Sequence, residues 1–239
     1  RKAEAEQNGY VVLPFSRIIR VHLAETIKEN LSSIITTQYV GELLDEVLKE
    51  NEFLCTQIVE KYGNASLTVV KLVLCSLLDE EVSIRNLIPI LETISNEPKY
   101  DRAKLQVLVN KVRCAIVPDI IGSLGNSKND IKALMLSQKL SEHMFDNLTE
   151  NGEIAFDPVT RKLFYNELSS KISEITVQGF SPVVLCVEPL RYSVKLLLVS
   201  EGISKTHVFS DMELSIAVRN LNISLHIFAT IGEDFELPA

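Results

Sequence analysis

The sequence predicts an α+β fold, in which an all-α helical subdomain is followed by a small α/β subdomain with a mixed sheet. Apolar residues recur at helical spacing through most of the first half. The second half contains a continuous apolar run, Val183–Val187, which is typical of a short strand buried on both faces. Residues 223–231 alternate between two sets of side chains, which indicates a strand with two different faces. Helices alternate with these strands, as they do in an α/β layer.

Three segments are expected along the chain. Residues 1–15 contain a solvated stub and the strand-like Tyr10–Leu13, which needs a partner sheet and is interpreted as the remnant of a preceding subdomain. Residues 16–118 are predicted to form the helical subdomain and residues 119–239 the α/β subdomain. The polar stretch from Gly122 to Asp130 marks the link between them. Because the chain lacks an initiator Met, we expect a fragment of a longer protein.

Caps and apolar stripes predict the first helices. Ser16 can cap a helix with an apolar stripe every four residues, and His22 beside that stripe is interpreted as a core or boundary histidine. A second helix is expected to start at Thr36 or Thr37, and Gly63 should end a third one. Residues 67–78 are apolar around most of the circumference, which is typical of the central helix of a bundle. The first stripe consists of Ile19, Leu23, Ile27 and Leu31.

A proline sets the register of the next helix. Asn86 is a good N-cap, and a helix that starts after it places Pro89 at the third position, where a missing N–H costs nothing. An earlier start would put the proline deeper in the helix and break a hydrogen bond. In this register Leu91 lies on the apolar face and is expected to be buried. A further amphipathic helix is predicted over about residues 105–116.

The second half is predicted to alternate strands and helices. Besides Val183–Val187 and residues 223–231, strands are expected at residues 131–136 and 207–209. One helix is predicted over residues 138–148 and a second one from Asp157-Pro158 onward. Pro189 should open a third helix, which runs to about Val199.

Composition argues against several classes of protein. The formal net charge is −8 and neither half is basic, so a nucleic-acid-binding function is not expected. The helix after Asn86 carries no Lys or Arg before Pro98, whereas a DNA-recognition helix needs them. No stretch approaches 18 consecutive apolar residues, and no secretory signal is visible. An acidic surface would suit a basic protein partner, although acidity mostly keeps chains soluble.

The sequence contains none of the compact motifs that carry catalytic chemistry. It lacks a P-loop, a GxGxxG loop, a GxSxG elbow and a CxxC pair, so no catalytic residue, metal site or cofactor is expected, and no enzyme. Asp79, Glu80 and Glu81 are interpreted as a solvated turn, and Arg85 can pair with one of them. The cysteines are interpreted as reduced, buried small hydrophobic residues: Cys55, Cys75, Cys114 and Cys186.

Several segments carry a resemblance to one known family. The most specific block is Glu81-Val82-Ser83-Ile84-Arg85-Asn86-Leu87 followed by Ile90-Leu91-Glu92. Further matching segments are residues 18–27, 43–45, 69–78, 131–134, 182–185 and 208–210. Together they resemble the C-terminal cytoplasmic region of the FHIPEP family, the large inner-membrane component of type III export gates in flagella and virulence injectisomes. The family often has Asp where this chain has Asn86, and either residue caps a helix.

The resemblance implies a non-enzymatic scaffold at the cytoplasmic face of the bacterial inner membrane, in a flagellar or injectisome secretion system. Residues 16–118 and 119–239 would be the family's third and fourth cytoplasmic subdomains. The implied partners are other copies in a nonameric ring, secretion chaperone–substrate complexes and components of the export ATPase complex. Attachment to the membrane would come only from a transmembrane region absent from this chain. The candidate protein-interface residues are Asp79, Glu80, Glu81 and Arg85.

An alternative hypothesis is an unrelated cytosolic α/β enzyme. Its active site would lie in a concave pocket at the ends of the strands at residues 131–136 and 183–187, because open parallel sheets bind ligands at their carboxyl ends. Ionisable groups with perturbed pKa values in such a pocket would favour this hypothesis.

Overall fold

The computed structural model describes residues 14–99, 104–124 and 130–235. The chain divides into two compact units, Arg1–Ile84 and Arg85–Ala239. This division does not coincide with the predicted subdomain boundary after residue 118, which stays a prediction. The strand expected at Tyr10–Leu13 lies outside the described residues, so the interpretation of residues 1–15 also stays a prediction.

The described part of the first unit is built from helices. Thr36 caps α3, since its Oγ1 accepts a 3.1 Å hydrogen bond from the backbone N–H of Tyr39. Gly63 ends α4 with a φ of 57°, as its position predicts. The helices are α1 (Phe15–Glu29), α2 (Leu31–Ile34), α3 (Thr37–Leu48), α4 (Glu52–Tyr62) and α5 (Ser66–Asp79).

Helix α5 lies at the centre of this unit, and the prediction for residues 67–78 is confirmed. It packs against α2, α3 and α4. Its buried side chains, together with those of its neighbours, form the apolar core of the first unit. This core contains Val40, Leu44, Cys55, Ile58, Val70, Val73, Leu74 and Leu77.

Helix α1 differs from its prediction in what it buries. It begins after Pro14, with no side-chain cap, so Ser16 does not cap it. The three residues of the predicted stripe that lie on α1 are exposed, with Ile19 at 50% and Leu23 at 55% of full exposure, whereas Leu31 is half-buried in α2. The interpretation of His22 as a core or boundary residue is therefore wrong, because this side chain is exposed as well. Helical spacing identified the helix but not whether anything in the same unit covers its apolar face.

The second unit begins with α6 (Leu87–Asn96), followed by α7 (Leu105–Ala115) and α8 (Val117–Ser123). The register predicted from Pro89 is confirmed, and Leu91 is 0% exposed. Asn86 occupies the N-cap position, but its side chain does not cap the helix. Instead, Asn86 Nδ2 donates a 3.0 Å hydrogen bond to Asp119 Oδ2 in the first turn of α8.

Four strands follow: β1 (Asp130–Leu136), β2 (Val183–Cys186), β3 (His207–Ser210) and β4 (Ser224–Ile231). They form one sheet in the order β3-β2-β1-β4. The α+β class is confirmed, but all three pairings are parallel, so the expectation of a mixed sheet is wrong. The reason is that helices connect each strand to the next, and such crossovers return the chain in the same direction.

The helices of this layer are α9 (Gln138–Asp146), α10 (Pro158–Val177), α11 (Arg191–Ser200) and α12 (Asp211–Leu221). Helices α9 to α11 share one apolar core with the sheet, which is lined by residues such as Leu134, Val184, Leu140, Phe164 and Val194. Helix α12 contacts α7, α8 and β3. The sheet layer and the helices α7 and α8 therefore belong to one packed unit, although the sequence predicted a link there.

Candidate protein-interaction surfaces

The acidic turn after α5 is ordered by backbone hydrogen bonds. The Glu81 N–H donates to Leu78 O and the Val82 N–H donates to Leu77 O, both at 2.9 Å. Glu81 has a φ of 60°, so the turn is a Schellman motif with a glutamate in the left-handed position usually taken by glycine. Val82 and Leu77 are both buried, and a hydrophobic contact of this kind commonly accompanies the motif.

The four candidate interface residues differ in exposure. Asp79 and Glu81 are exposed, whereas Glu80 is only 7% exposed, so the turn is not fully solvated as the sequence suggested. Arg85 is exposed and begins the second unit. Neither Glu80 nor Arg85 is a free charge, since each has a bonding or electrostatic partner. The exposed members are Asp79, Glu81 and Arg85, and the role of the four residues at an interface stays a prediction.

A polar network around the buried Arg191 lies at the carboxyl ends of β2 and β3. Arg191 is completely buried, and its Nε and Nη2 donate to Asn110 Oδ1 on α7 at 3.1 and 2.9 Å. Asn110 Nδ2 in turn donates to Glu188 Oε1 at 2.7 Å. The Glu188 backbone N–H donates to Asp211 Oδ1 at 2.9 Å. The network therefore joins α7 to the loops that follow β2 and β3, and its groups satisfy each other.

Sequence reasoning missed this network and the helix α12 beside it. Helix α12 carries a capping box, in which Ser210 Oγ accepts from the Glu213 N–H at 3.1 Å and Glu213 Oε2 accepts from the Ser210 N–H at 2.8 Å. The Ser-x-x-Glu spacing is a signal that could have located this helix. The hydrogen bonds of the network join side chains about 80 positions apart in the sequence, so no local pattern could have predicted them.

Burial shifts the pKa of several titratable groups in this unit. Burial raises the pKa of the Cys186 thiol to about 12 and that of Cys114 to about 11, so both thiols are protonated at neutral pH. Burial, with Lys195 and Arg113 nearby, lowers the pKa of His207 to about 4, so its imidazole is neutral. All four cysteines are free; Cys55 and Cys186 are buried, whereas Cys75 and Cys114 are half-buried.

The carboxyl ends of β1 and β4 are closed, and β1 is one of the two strands that the enzyme hypothesis requires. Ser137, just after β1, donates from Oγ to Gly232 O and accepts there from the Leu140 N–H. Gly232, just after β4, lies so close to Leu140 that a Cβ on it would come within 2.7 Å of Leu140 Cδ2. The Gly232 N–H donates to Glu167 Oε2. No room for a substrate remains at this part of the described sheet edge.

A concave surface lies at the opposite end of the sheet instead. A cleft of about 730 Å³ is formed by the second half of α10, the turn at residues 179–182 and the loop at residues 202–206. Lys195 is buried and fixes this loop by donating from Nζ to Ser204 O and Thr206 O, at 2.7 and 3.1 Å. The described lining consists of hydroxyl and apolar side chains together with Lys205.

A second groove, of about 470 Å³, lies between α12 and the sheet. Leu185, Leu214, Val218 and Leu225 line it, with the charged Asp211 and Arg219 beside them. Within the described ranges, no group of three or more His, Cys, Asp or Glu is placed to hold a metal ion. None of the helices in those ranges has both the length and the apolarity to cross a membrane.

Comparison with known proteins identifies relatives over nearly the whole chain. A model of the FHIPEP family matches residues 1–219. The flagellar biosynthesis protein FlhA of Borreliella burgdorferi is 28% identical over 230 residues, which cover 95% of this chain and 32% of that protein. The chain thus spans about a third of the length of the curated relatives it matches.

Solved structures show a similar fold. The chain resembles CdsV in the Chlamydia pneumoniae CdsV and CdsO protein complex, with a TM-score of 0.79 and 19% identity over 96% of this chain and 66% of that chain. The nonameric EPEC SctV-C structure gives a TM-score of 0.72 and 21% identity over 89% of this chain and 62% of that chain. These similarities establish the fold that the chain shares with export-gate cytoplasmic domains.

The family match decides between the two hypotheses drawn from the sequence. It includes the block around Arg85 and Asn86 that carried the resemblance, and it is incompatible with an enzyme of unrelated ancestry. Matched relatives are components of flagellar biosynthesis and of type III secretion export apparatus. This chain therefore belongs to the FHIPEP family.

Proposed function

We propose that this chain is part of the cytoplasmic region of the export gate of a bacterial type III protein secretion system. It would act as a scaffold that binds other proteins and catalyses no reaction. The observation that carries this proposal is the FHIPEP match over residues 1–219, since this family is a protein-transport component. Flagellar relatives match by sequence and injectisome proteins by fold, so the proposal covers both branches.

We further propose that the chain contributes to a homo-oligomeric ring in its parent protein. The nonameric state of EPEC SctV-C supports this proposal. So does helix α1, on which Phe15, Ile18, Ile19, Leu23 and Ile27 are all exposed. Contiguous apolar surface of this kind commonly marks a protein–protein interface. Asp79, Glu80, Glu81 and Arg85 remain proposed interface residues, with the buried Glu80 supporting the turn that presents its two neighbours.

The proposed partners are components of the export machinery and its cargo. The complex between CdsV and CdsO supports an export-machinery partner for this domain. Secretion chaperone–substrate complexes and components of the export ATPase complex are the remaining proposed partners. The two grooves at the amino end of the sheet and beside α12 offer concave, largely uncharged surfaces for such segments.

The proposed location is the cytoplasmic face of the bacterial inner membrane. The relatives are about three times as long as the part that this chain matches. We propose that a transmembrane region in the parent protein attaches this domain to the membrane.

Deletion and point substitution in the parent gene test this function. We expect deletion to abolish export of type III cargo and the Arg85→Ala variant to reduce export by weakening ring contacts. Lys49→Ala is the matched control, since Lys49 is another exposed cation. Export is measured as cargo in the culture supernatant, and assembly by cross-linking of the parent protein. Normal export from the deletion strain would contradict the function, and normal export with normal assembly in Arg85→Ala would remove Arg85 from the interface.

A further inference from the structure

We propose that the free edge of β4 binds an extended, basic segment of a partner protein, which adds a fifth strand to the sheet. β4 ends the strand order, and within the described residues it pairs only with β1. The backbone N–H and C=O groups on the outer side of an edge strand are a template for another strand. An extended chain is the occupant that satisfies these groups in register.

The two edges of the sheet are protected to very different degrees. β3, at the other edge, has four residues, of which Val208, Phe209 and Ser210 are buried. β4 has eight residues, and most of its side chains are exposed or half-buried. It contains no proline, lysine, arginine or carboxylate, which are the residues that usually block pairing at an edge. The long edge of β4 is therefore open to another strand, apart from one bulge opposite Ala133 and Leu134.

Side chains and charges around β4 define the chemistry of the occupant. Ile227 is 44% exposed at the strand centre and would be covered by an apolar residue of the added strand. Carboxylates lie at both ends, with Asp130 paired to Ser224 at the start and the exposed Glu233 and Asp234 just after the strand. Opposite charges across such an interface favour association. The segment that fits is thus extended, apolar in part, and basic at its ends.

Two nearby lysines do not change this sign, because both are already engaged within the chain. Lys132 Nζ donates to Gln178 and lies 4.2 Å from the centre of the Phe180 ring and 5.9 Å from that of Phe228 on β4. Lys139 Nζ donates to Phe235 O. A second copy of the chain is a less suitable occupant, because each copy carries a net charge of −8. The carboxylates beside β4 in one copy would repel those beside β4 in the other.

A designed peptide tests strand addition on the whole 239-residue chain. The probe is a nine-residue peptide of alternating valine and lysine, and amide hydrogen exchange with calorimetry gives the site and the affinity. We expect slower exchange across residues 224–231 and binding that weakens as salt is added. The same peptide with alternate amides N-methylated should not bind, because it keeps its charge but loses the backbone donors on one side. Equal binding of the methylated peptide, or protection confined to another region, would overturn the proposal.

Matched variants place the contact on β4. Ile227→Lys adds a cation at the strand centre and should weaken binding about tenfold, which corresponds to about 1.4 kcal/mol. Val59→Lys is the control, since Val59 is 53% exposed but lies on α4 in the first unit, and the affinity of this variant should be unchanged. Without peptide, protection of β4 from hydrogen exchange should not increase with chain concentration. Such an increase would show that a second copy pairs with this edge, and it would overturn the proposal. Only the cellular role of this edge rests on the proposed function. If the chain binds the peptide but its parent protein does not support export, the proposed function is refuted and strand addition at β4 is not.

Discussion

Arg113 Nε donates a 2.7 Å hydrogen bond to Glu213 Oε1, and the two side chains are 3% and 1% exposed. Arg113 lies in the last turn of α7 and Glu213 in the first turn of α12. The same carboxylate caps α12 through the Ser210 N–H, and Arg113 Nη2 also donates to Val208 O at 3.3 Å. One buried ion pair therefore joins α7 to the corner where β3 ends and α12 begins.

Removal of one partner should destabilise this unit strongly. We expect Arg113→Met to lower the free energy of unfolding by about 3–5 kcal/mol, because it leaves the Glu213 carboxylate buried and unpaired. Arg161→Met is the control: Arg161 pairs with Glu201 but is half exposed, and such pairs are worth less than about 1 kcal/mol. Urea denaturation followed by circular dichroism measures both.

A second substitution separates the lost pair from lost packing. Adding Glu213→Leu to Arg113→Met should recover part of the loss, because the buried charge is then gone. Equal effects of Arg113→Met and Arg161→Met would show that the pair does not determine the stability of this corner.

Local signals predicted the elements well and their burial less well. Pro89 fixed the register of α6, because a proline restricts the helix start by its own geometry. The stripe at Ile19 and Leu23 located α1, yet these residues are exposed, since periodicity says nothing about what packs against a face. Pairing of Arg113 with Glu213 could not be predicted, because it joins residues 100 positions apart through the tertiary fold.

The candidate site shows the same limit. Asp79, Glu80 and Glu81 were singled out as the densest carboxylate cluster, with Arg85 as a possible ion-pair partner, and all but Glu80 are exposed. The edge of β4 was not singled out, since its exposure depends on the strand order rather than on its own sequence. The all-parallel sheet was not predicted, and the alternation of β4 could not reveal it, because half-burial at a parallel edge gives the same pattern as a strand of an antiparallel sheet.

Leu91 tests the packing of α6. It is fully buried, so we expect Leu91→Ala to lower the free energy of unfolding by about 2–5 kcal/mol through lost burial and a residual cavity. Leu23→Ala removes the same atoms from an exposed site on α1 and should change stability by less than about 0.5 kcal/mol. Thermal melts of the two variants compare the sites, and equal melting temperatures would contradict the helix register.

Glu81 should be replaceable by glycine with a gain in stability. Its φ of 60° is unfavourable for a residue with a Cβ, by about 1 kcal/mol, and glycine removes this cost. We therefore expect Glu81→Gly to raise the melting temperature. Glu92→Gly provides the opposite control, because Glu92 lies exposed inside α6, where glycine costs about 1 kcal/mol. Destabilisation by both substitutions would show that the left-handed turn is not strained.

His207 should make stability depend on pH in the mildly acidic range. Its pKa is lowered to about 4 in the folded chain by burial, with further contributions from Lys195 and Arg113, whereas the unfolded chain has the ordinary value of about 6.5. Between these two values the unfolded chain binds a proton that the folded chain does not. The free energy of unfolding should therefore fall as the pH is lowered through this window, by up to about 3 kcal/mol.

Substitution of His207 isolates its share of that dependence. His207→Gln should flatten the slope of the free energy of unfolding against pH between about 6.5 and 4, whatever its effect at neutral pH, because the titrating group is gone. Urea denaturation at several pH values measures the slopes. An unchanged slope in His207→Gln would mean that this imidazole is not held neutral by its burial, and that the acid sensitivity comes from other groups.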